Sequence, residues 1–242
     1  MNLGEDFKNK PPKKENYSGH RNRLRDKFNK GGLDAFLDHE VLELALTYVV
    51  PRKDTKPVAW NLIKKFGSVS NVFDANKEEL QDIKGIGQEA AVFILLLRAI
   101  IRRYFLDELK NRNVIKSPED VIKYCQASLG GEKDEIFEII YLSSRNTVIN
   151  SERIAIGTID RASVSPRKVV QNALKTNAAG MIFVHNHPSG EPKPSSEDIE
   201  LTDELIKAAY TLGLAVHDHI IIGSKNYYSF RANGLIKNRN IM

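Results

Sequence analysis

Apolar residues recur at helical spacing through the first half of the chain, then shift to short runs and alternation typical of strands in the second. Leu24 and Phe28 fit a first helix. Val41, Leu42, Leu44, Ala45 and Tyr48 fit a second, with Asp38 as its cap, and Val58, Leu62, Ile63 and Phe66 fit a third. A longer helical pattern runs from Gln88 to about Tyr104. Short amphipathic helices of this kind bury their apolar faces only against one another, which predicts a small helical bundle.

Beyond Arg112-Asn113 the pattern reads helix 118–129, strand 135–142, strand 147–157, helix 166–176, strand 180–185, helix 196–212, strand 214–222 and strand 226–230. Ser143-Ser144-Arg145-Asn146 joins the first two strands as a hairpin. Helices interspersed with hairpin-linked strands predict an α/β sandwich around a mixed sheet. The expected organisation is therefore a disordered basic tail over 1–20, an all-α domain over 21–112 and an α/β domain over 113–242.

Composition narrows the class. With 242 residues, 41% apolar and 28% charged, the chain can bury a conventional core. No apolar run approaches the roughly 20 residues of a membrane span. The opening MNLGEDFKNKPPKKENYSGH has no apolar stretch, so a cytoplasmic protein without a membrane partner is expected. The lone cysteine, Cys125, excludes an internal disulfide and lies on a helical apolar face, which predicts a core thiol rather than a nucleophile. Residues 1–112 hold 21 Lys and Arg against 16 Asp and Glu, whereas residues 113–242 hold 15 of each, so the +5 net charge belongs to the N-terminal part. The two parts are expected to have different partners.

The candidate chemistry lies in HNHPSGEPKPSSED, residues 185–198. His185 and His187 follow the apolar run Met181-Ile182-Phe183-Val184, so at a strand end both imidazoles project to one side. With Asp198 they form a His, His, Asp set suited to zinc, with a fourth position open to water. Zinc lowers the pKa of water from near 16 to roughly 7, which suits hydrolysis of an amide or phosphodiester. Asp198 has a second reading. Ser195 stands three residues before it and an amphipathic helix follows, which is the signature of a capping box.

The string His-x-His, seven residues, Ser, two residues, Asp resembles the JAMM signature of MPN-domain metalloproteases and deubiquitinating enzymes. Together with GTIDRASVSPRKVV upstream and HDHIIIG downstream, HNHPSGEPKPSSEDIELTDELIKAAYTLG is similar to the bacterial RadC family, a resemblance covering about residues 20–237. It implies an MPN/JAMM (cytidine-deaminase-like) α/β sandwich binding one Zn2+ per chain through His185, His187 and Asp198, with Ser195 stabilising an oxyanion. It also implies an upstream glutamate as general base. Glu135 matches that position, and Glu138 and Glu152 are alternatives.

His217 and His219 form a second His-x-His, expected to share one strand face with Asp218 on the other. One of these three is expected to orient a metal-binding histidine rather than to bind a second metal. In the helical part, Leu80-Gln81-Asp82-Ile83-Lys84-Gly85-Ile86-Gly87 resembles a helix-hairpin-helix, in which Lys84, Gly85 and Gly87 would approach DNA phosphate. The acidic residues Glu78, Glu79, Asp82 and Glu89 flank it. Two function classes follow. One is a zinc-dependent hydrolase, a peptidase or isopeptidase acting on a protein or peptide and located on DNA by its helical domain. The other is a DNA-binding repair or recombination factor whose metal site is structural or acts on phosphodiesters.

Overall fold

The computed structural model describes residues 17–236 apart from positions 52, 113, 158, 160, 161 and 225. Most of the expected N-terminal tail lies outside the described residues. Its last part does not, because α1 (Tyr17–Gly31) already includes residues 17–20. The described chain divides into two compact units between Ile94 and Leu95.

The first unit contains α1, α2 (Asp38–Leu46), α3 (Lys56–Phe66), α4 (Val69–Asp74), α5 (Lys77–Gln81) and the start of α6 (Gln88–Lys110). Its buried residues include Leu24, Leu42, Leu46, Val58, Leu62, Val72 and Leu80. Asp38 is not the cap of α2. Leu37 occupies that position in extended backbone, and Glu40 accepts its N–H at 2.9 Å, so Asp38 begins the helix and places negative charge at its positive end. Both α4 and α5 are capped by side chains, Ser68 accepting from the Asn71 N–H and Asn76 from the Glu79 N–H.

The second unit takes the rest of α6, then α7 (Glu119–Leu129), β1 (Ile136–Leu142), β2 (Val148–Ile156), α8 (Pro166–Lys175), β3 (Gly180–Asn186), α9 (Ser196–Thr211), β4 (Ala215–Ile222) and β5 (Tyr227–Ser229). The strands form one mixed sheet in the order β2-β1-β3-β4-β5, with β3 and β4 parallel and the other neighbours antiparallel. Interior β1 and β3 are buried along their whole length, which explains their near-continuous apolar sequence, whereas edge strand β2 alternates.

The sheet is covered on both faces. Phe137, Ile139, Tyr141, Met181 and Phe183 pack against α8 and α9 through Val169, Ala173, Leu201 and Leu205. Ile140, Ile182, Val184 and Ile220 pack on the other face against α7 through Val121 and Leu129, joined by Leu109 from the end of α6. Cys125 lies in this second layer, and burial pushes its thiol well above the ordinary range, as a core thiol requires.

β4 contains a bulge. Met181 pairs with Val216 and Ile182 with Asp218, so His217 is the extra residue. The expected shared face of His217 and His219 is therefore wrong. His217 lines a cavity with Asp218, Ile182 and Ile220 on the α7 side, whereas His219 pairs with Phe183 and faces α9. No described helix is long and apolar enough to cross a membrane.

Candidate metal centre

Strand alternation places His185 at the carboxyl end of β3 on the face covered by α9, opposite Phe137 of β1. His187 lies just past the strand and keeps its pairing, donating its N–H to the Ile222 carbonyl at 3.0 Å. The turn that follows needs glycine. Gly190 has φ +86°, and a Cβ there would collide with Ser224 Oγ. The turn brings the Glu191 carbonyl to 2.8 Å from His187 Nδ1. A carbonyl only accepts, so Nδ1 carries the proton and neutral His187 presents its lone pair on Nε2.

The Nε2 atoms of His185 and His187 are 3.0 Å apart. Asp198 Oδ1 is 3.1 Å from the first and Oδ2 is 3.4 Å from the second. Donors about 2.0–2.1 Å from a tetrahedral zinc lie roughly 3.3–3.4 Å from one another, so this spacing fits the ion. The chemistry fits too, because two imidazole nitrogens and a carboxylate converge on one point. Burial opposes ionisation of Asp198, but its polar contacts with His185, His187 and Ser195 outweigh it and hold the carboxyl well below the usual carboxylate range. The hydrogen bond with Asp198 raises the pKa of His187. The arrangement attracts positive charge.

Asp198 is also a capping residue. Its Oδ2 accepts from Ser195 N–H at 2.8 Å and Oγ–H at 2.7 Å, while Ser195 Oγ accepts the Asp198 N–H at 3.1 Å. The two readings of Asp198 are thus compatible, since one carboxylate closes the capping box and faces both imidazoles.

Glu135 stands immediately before β1. Its Oε1 is 3.9 Å from His187 Nε2 and its Oε2 accepts from Ile159 N–H at 3.3 Å. Glu135, His185 and His187 bring donor atoms within 4.8 Å of one another. The two alternatives are engaged elsewhere. Glu138 points to the α7 side, where the Tyr124 hydroxyl and Ser128 donate to it. Glu152 accepts from Tyr141 and Asn172.

A family model described as RadC-like JAB domain matches residues 115–235, the segment that carries every residue of this centre. The chain belongs to the RadC-like JAB domain family. Relatives extend the likeness across both units. A UPF0758 protein of Fusobacterium nucleatum is 44% identical over 225 residues, covering 90% of this chain and 97% of that protein. Another from Ruegeria pomeroyi is 41% identical over 217 residues, with the same coverage.

Two residues of this RadC-like domain gain a place that their sequence did not disclose. Asn186, between the two histidines, faces away from the centre. Its Oδ1 accepts the Ile136 N–H at 2.9 Å and its Nδ2 donates to the carbonyls of Glu132 and Asp134 at 3.2 and 3.0 Å. It thereby holds the segment bearing Glu135 against β3. Thr202, one turn after Asp198, contacts both that residue and His219. An asparagine flanked by two histidines, and a threonine four residues past an acidic cap, are the available signals.

The hairpin candidates lie in the other unit. Lys84 is exposed, and Gly85 has φ +105° with its missing Cβ 2.6 Å from Val58 Cγ2, so packing against α3 alone accounts for a glycine there. A Cβ on Gly87 would meet nothing within 4 Å. Lys65 donates to Asp82 and to the Glu79 carbonyl.

Proposed function

We propose that this RadC-like protein is a zinc-dependent hydrolase that cleaves an amide, in a peptide or an isopeptide. The observation that carries this reading is the convergence of His185 Nε2, His187 Nε2 and the Asp198 carboxylate at 3.0–3.4 Å. Those three residues would hold the ion. Bound there, zinc would supply a Lewis acid and make water nucleophilic near neutral pH.

Glu135 is the general base. Its Oε1 lies on the His187 side of the cluster, where it would take a proton from the attacking water and return it to the departing amine nitrogen. Main-chain donation from Ile159 to Oε2 orients the carboxylate and leaves Oε1 for that task. Ser195 donates its only hydroxyl proton to Asp198 Oδ2 in this arrangement, which fixes the carboxylate. Stabilising an oxyanion requires that hydrogen bond to be exchanged for one to the substrate.

The test is Glu135→Gln, assayed on a library of peptides and isopeptides with zinc content measured alongside. Retained zinc with hydrolysis lowered at least 100-fold is expected. Unchanged turnover would remove Glu135 from the mechanism.

A further inference from the structure

We propose that Thr202 and His219 are positioning residues that fix the tautomer of His185 and so aim its ligand nitrogen. The inference rests on the zinc reading above. His219 is fully buried on β4 beside Phe137, Phe183 and Phe230, and each ring nitrogen has one partner among the described residues. Nδ1 lies 2.6 Å from Thr202 Oγ1, and Nε2 lies 2.8 Å from His185 Nδ1. Thr202 Oγ1 is in turn 2.5 Å from the carbonyl oxygen of Asp198.

The direction of each hydrogen bond follows from the one before it. A carbonyl oxygen only accepts, and a threonine hydroxyl has one hydrogen, so that hydrogen is committed to Asp198. Thr202 Oγ1 must then accept, and His219 Nδ1 carries a proton. The His219 imidazole is sealed among aromatic rings and, among the described residues, hydrogen-bonds no carboxylate, so it is neutral and its Nε2 is a lone pair. That lone pair accepts from His185 Nδ1–H. The Nε2 of His185 is therefore free of a proton and faces Asp198 and His187.

The circuit opposes a competing arrangement. Asp198 Oδ1, 3.1 Å from His185 Nε2, would by itself favour a proton on that nitrogen and turn the ligand atom into a donor. Hydrogen bonds to the far nitrogen of a metal-binding histidine commonly set its tautomer, and their loss weakens metal affinity. Here the last bond of the circuit returns to Asp198 itself, coupling the imidazole and carboxylate sides of the centre.

The experiment uses the full chain with Thr202→Val, which keeps the shape and removes the hydroxyl, and Thr202→Ser, which restores it. Imidazole proton–nitrogen correlation spectra of the metal-free protein report which nitrogen carries each proton, and competition with a chromophoric chelator reports zinc affinity. In the parent both His185 and His219 should be protonated at Nδ1. In Thr202→Val the His185 proton should move to Nε2 and zinc should bind on the order of 10–100-fold more weakly, with Thr202→Ser close to the parent on both measures. A parent His185 protonated at Nε2 overturns the inference, as does a Thr202→Val protein whose tautomer stays put, whatever its affinity. If the parent takes up no zinc yet its tautomers shift as stated, the circuit stands and the hydrolase reading fails.

Discussion

Glu138 and Asp198 are both buried carboxylates of the sheet-centred unit, on opposite faces of the sheet, and their surroundings differ in kind. Glu138 is met by donors: the hydroxyls of Tyr124 and Ser128, with Arg102 and Arg153 nitrogens 3.7 and 3.9 Å away. Asp198 has committed donors, the Ser195 N–H and Oγ–H, on its capping side. Its other side faces two imidazole nitrogens that are themselves 3.0 Å apart, and atoms bearing lone pairs repel unless a proton or metal cation lies among them. A buried carboxylate supplied with protons and cations is a structural group. One that shares its space with further acceptors marks a place for a cation.

Breaking the Glu138 cluster should have the largest effect on folding and none on the metal. Glu138→Ala leaves Arg102 and Arg153 without their shared anion and should cost about 3 kcal/mol in urea unfolding, a modest figure for a buried pair because both arginines are partly exposed. Zinc uptake should be unchanged. Loss of zinc in this variant would mean that the two clusters are not independent.

Asn186→Leu probes the side of the comparison nearer to Glu135. Three hydrogen bonds vanish, so a loss of about 2–3 kcal/mol is expected in the same assay. On the proposed roles hydrolysis should fall by a larger factor than zinc affinity, since the segment released carries Glu135, the proposed general base, and none of the three proposed ligands. Equal losses in both would place Asn186 in the support of the ligands instead.

The smallest effect concerns protons in the metal-free protein. His187 is raised above its ordinary 6.5 by its hydrogen bond with Asp198, so its share of stability is present at lower pH and is lost as pH rises through the raised value. Asp198 is depressed below 3.8, so its share is present above that value and is lost as pH falls through its lowered one. Thermal unfolding of metal-free protein should therefore show a maximum on the acidic side of neutrality, and His187→Ala should flatten the alkaline limb. An unaltered alkaline limb would assign the pH dependence to other groups.

Much of this was legible in the sequence because its long elements carry clear periods. The runs at 181–184 and 220–222, and the capped amphipathic stretch after Ser195, lead directly to β3, β4 and α9. Helices α4 and α5, of six and five residues, are too short to show a period. The bulge at His217 comes from how β4 registers on β3, and counting by twos along one strand cannot reveal it. The compact units divide between Ile94 and Leu95, and the later turns of α6 bring Phe105, Leu106 and Leu109 into the core beneath α7. Among the glutamates, the sequence could not choose between Glu135, Glu138 and Glu152, since the choice depends on which end of β1 meets β3 and on the hydroxyls and arginines that engage the other two.

The most direct test is the metal content of the purified full chain, measured by plasma mass spectrometry beside His187→Ala and Asp198→Ala. The zinc reading predicts about one ion per chain in the parent and a clear loss in both variants, at least 100-fold in affinity for removal of a ligand. No bound metal in the parent, or uptake indifferent to Asp198, would contradict it and leave that carboxylate as the cap of α9.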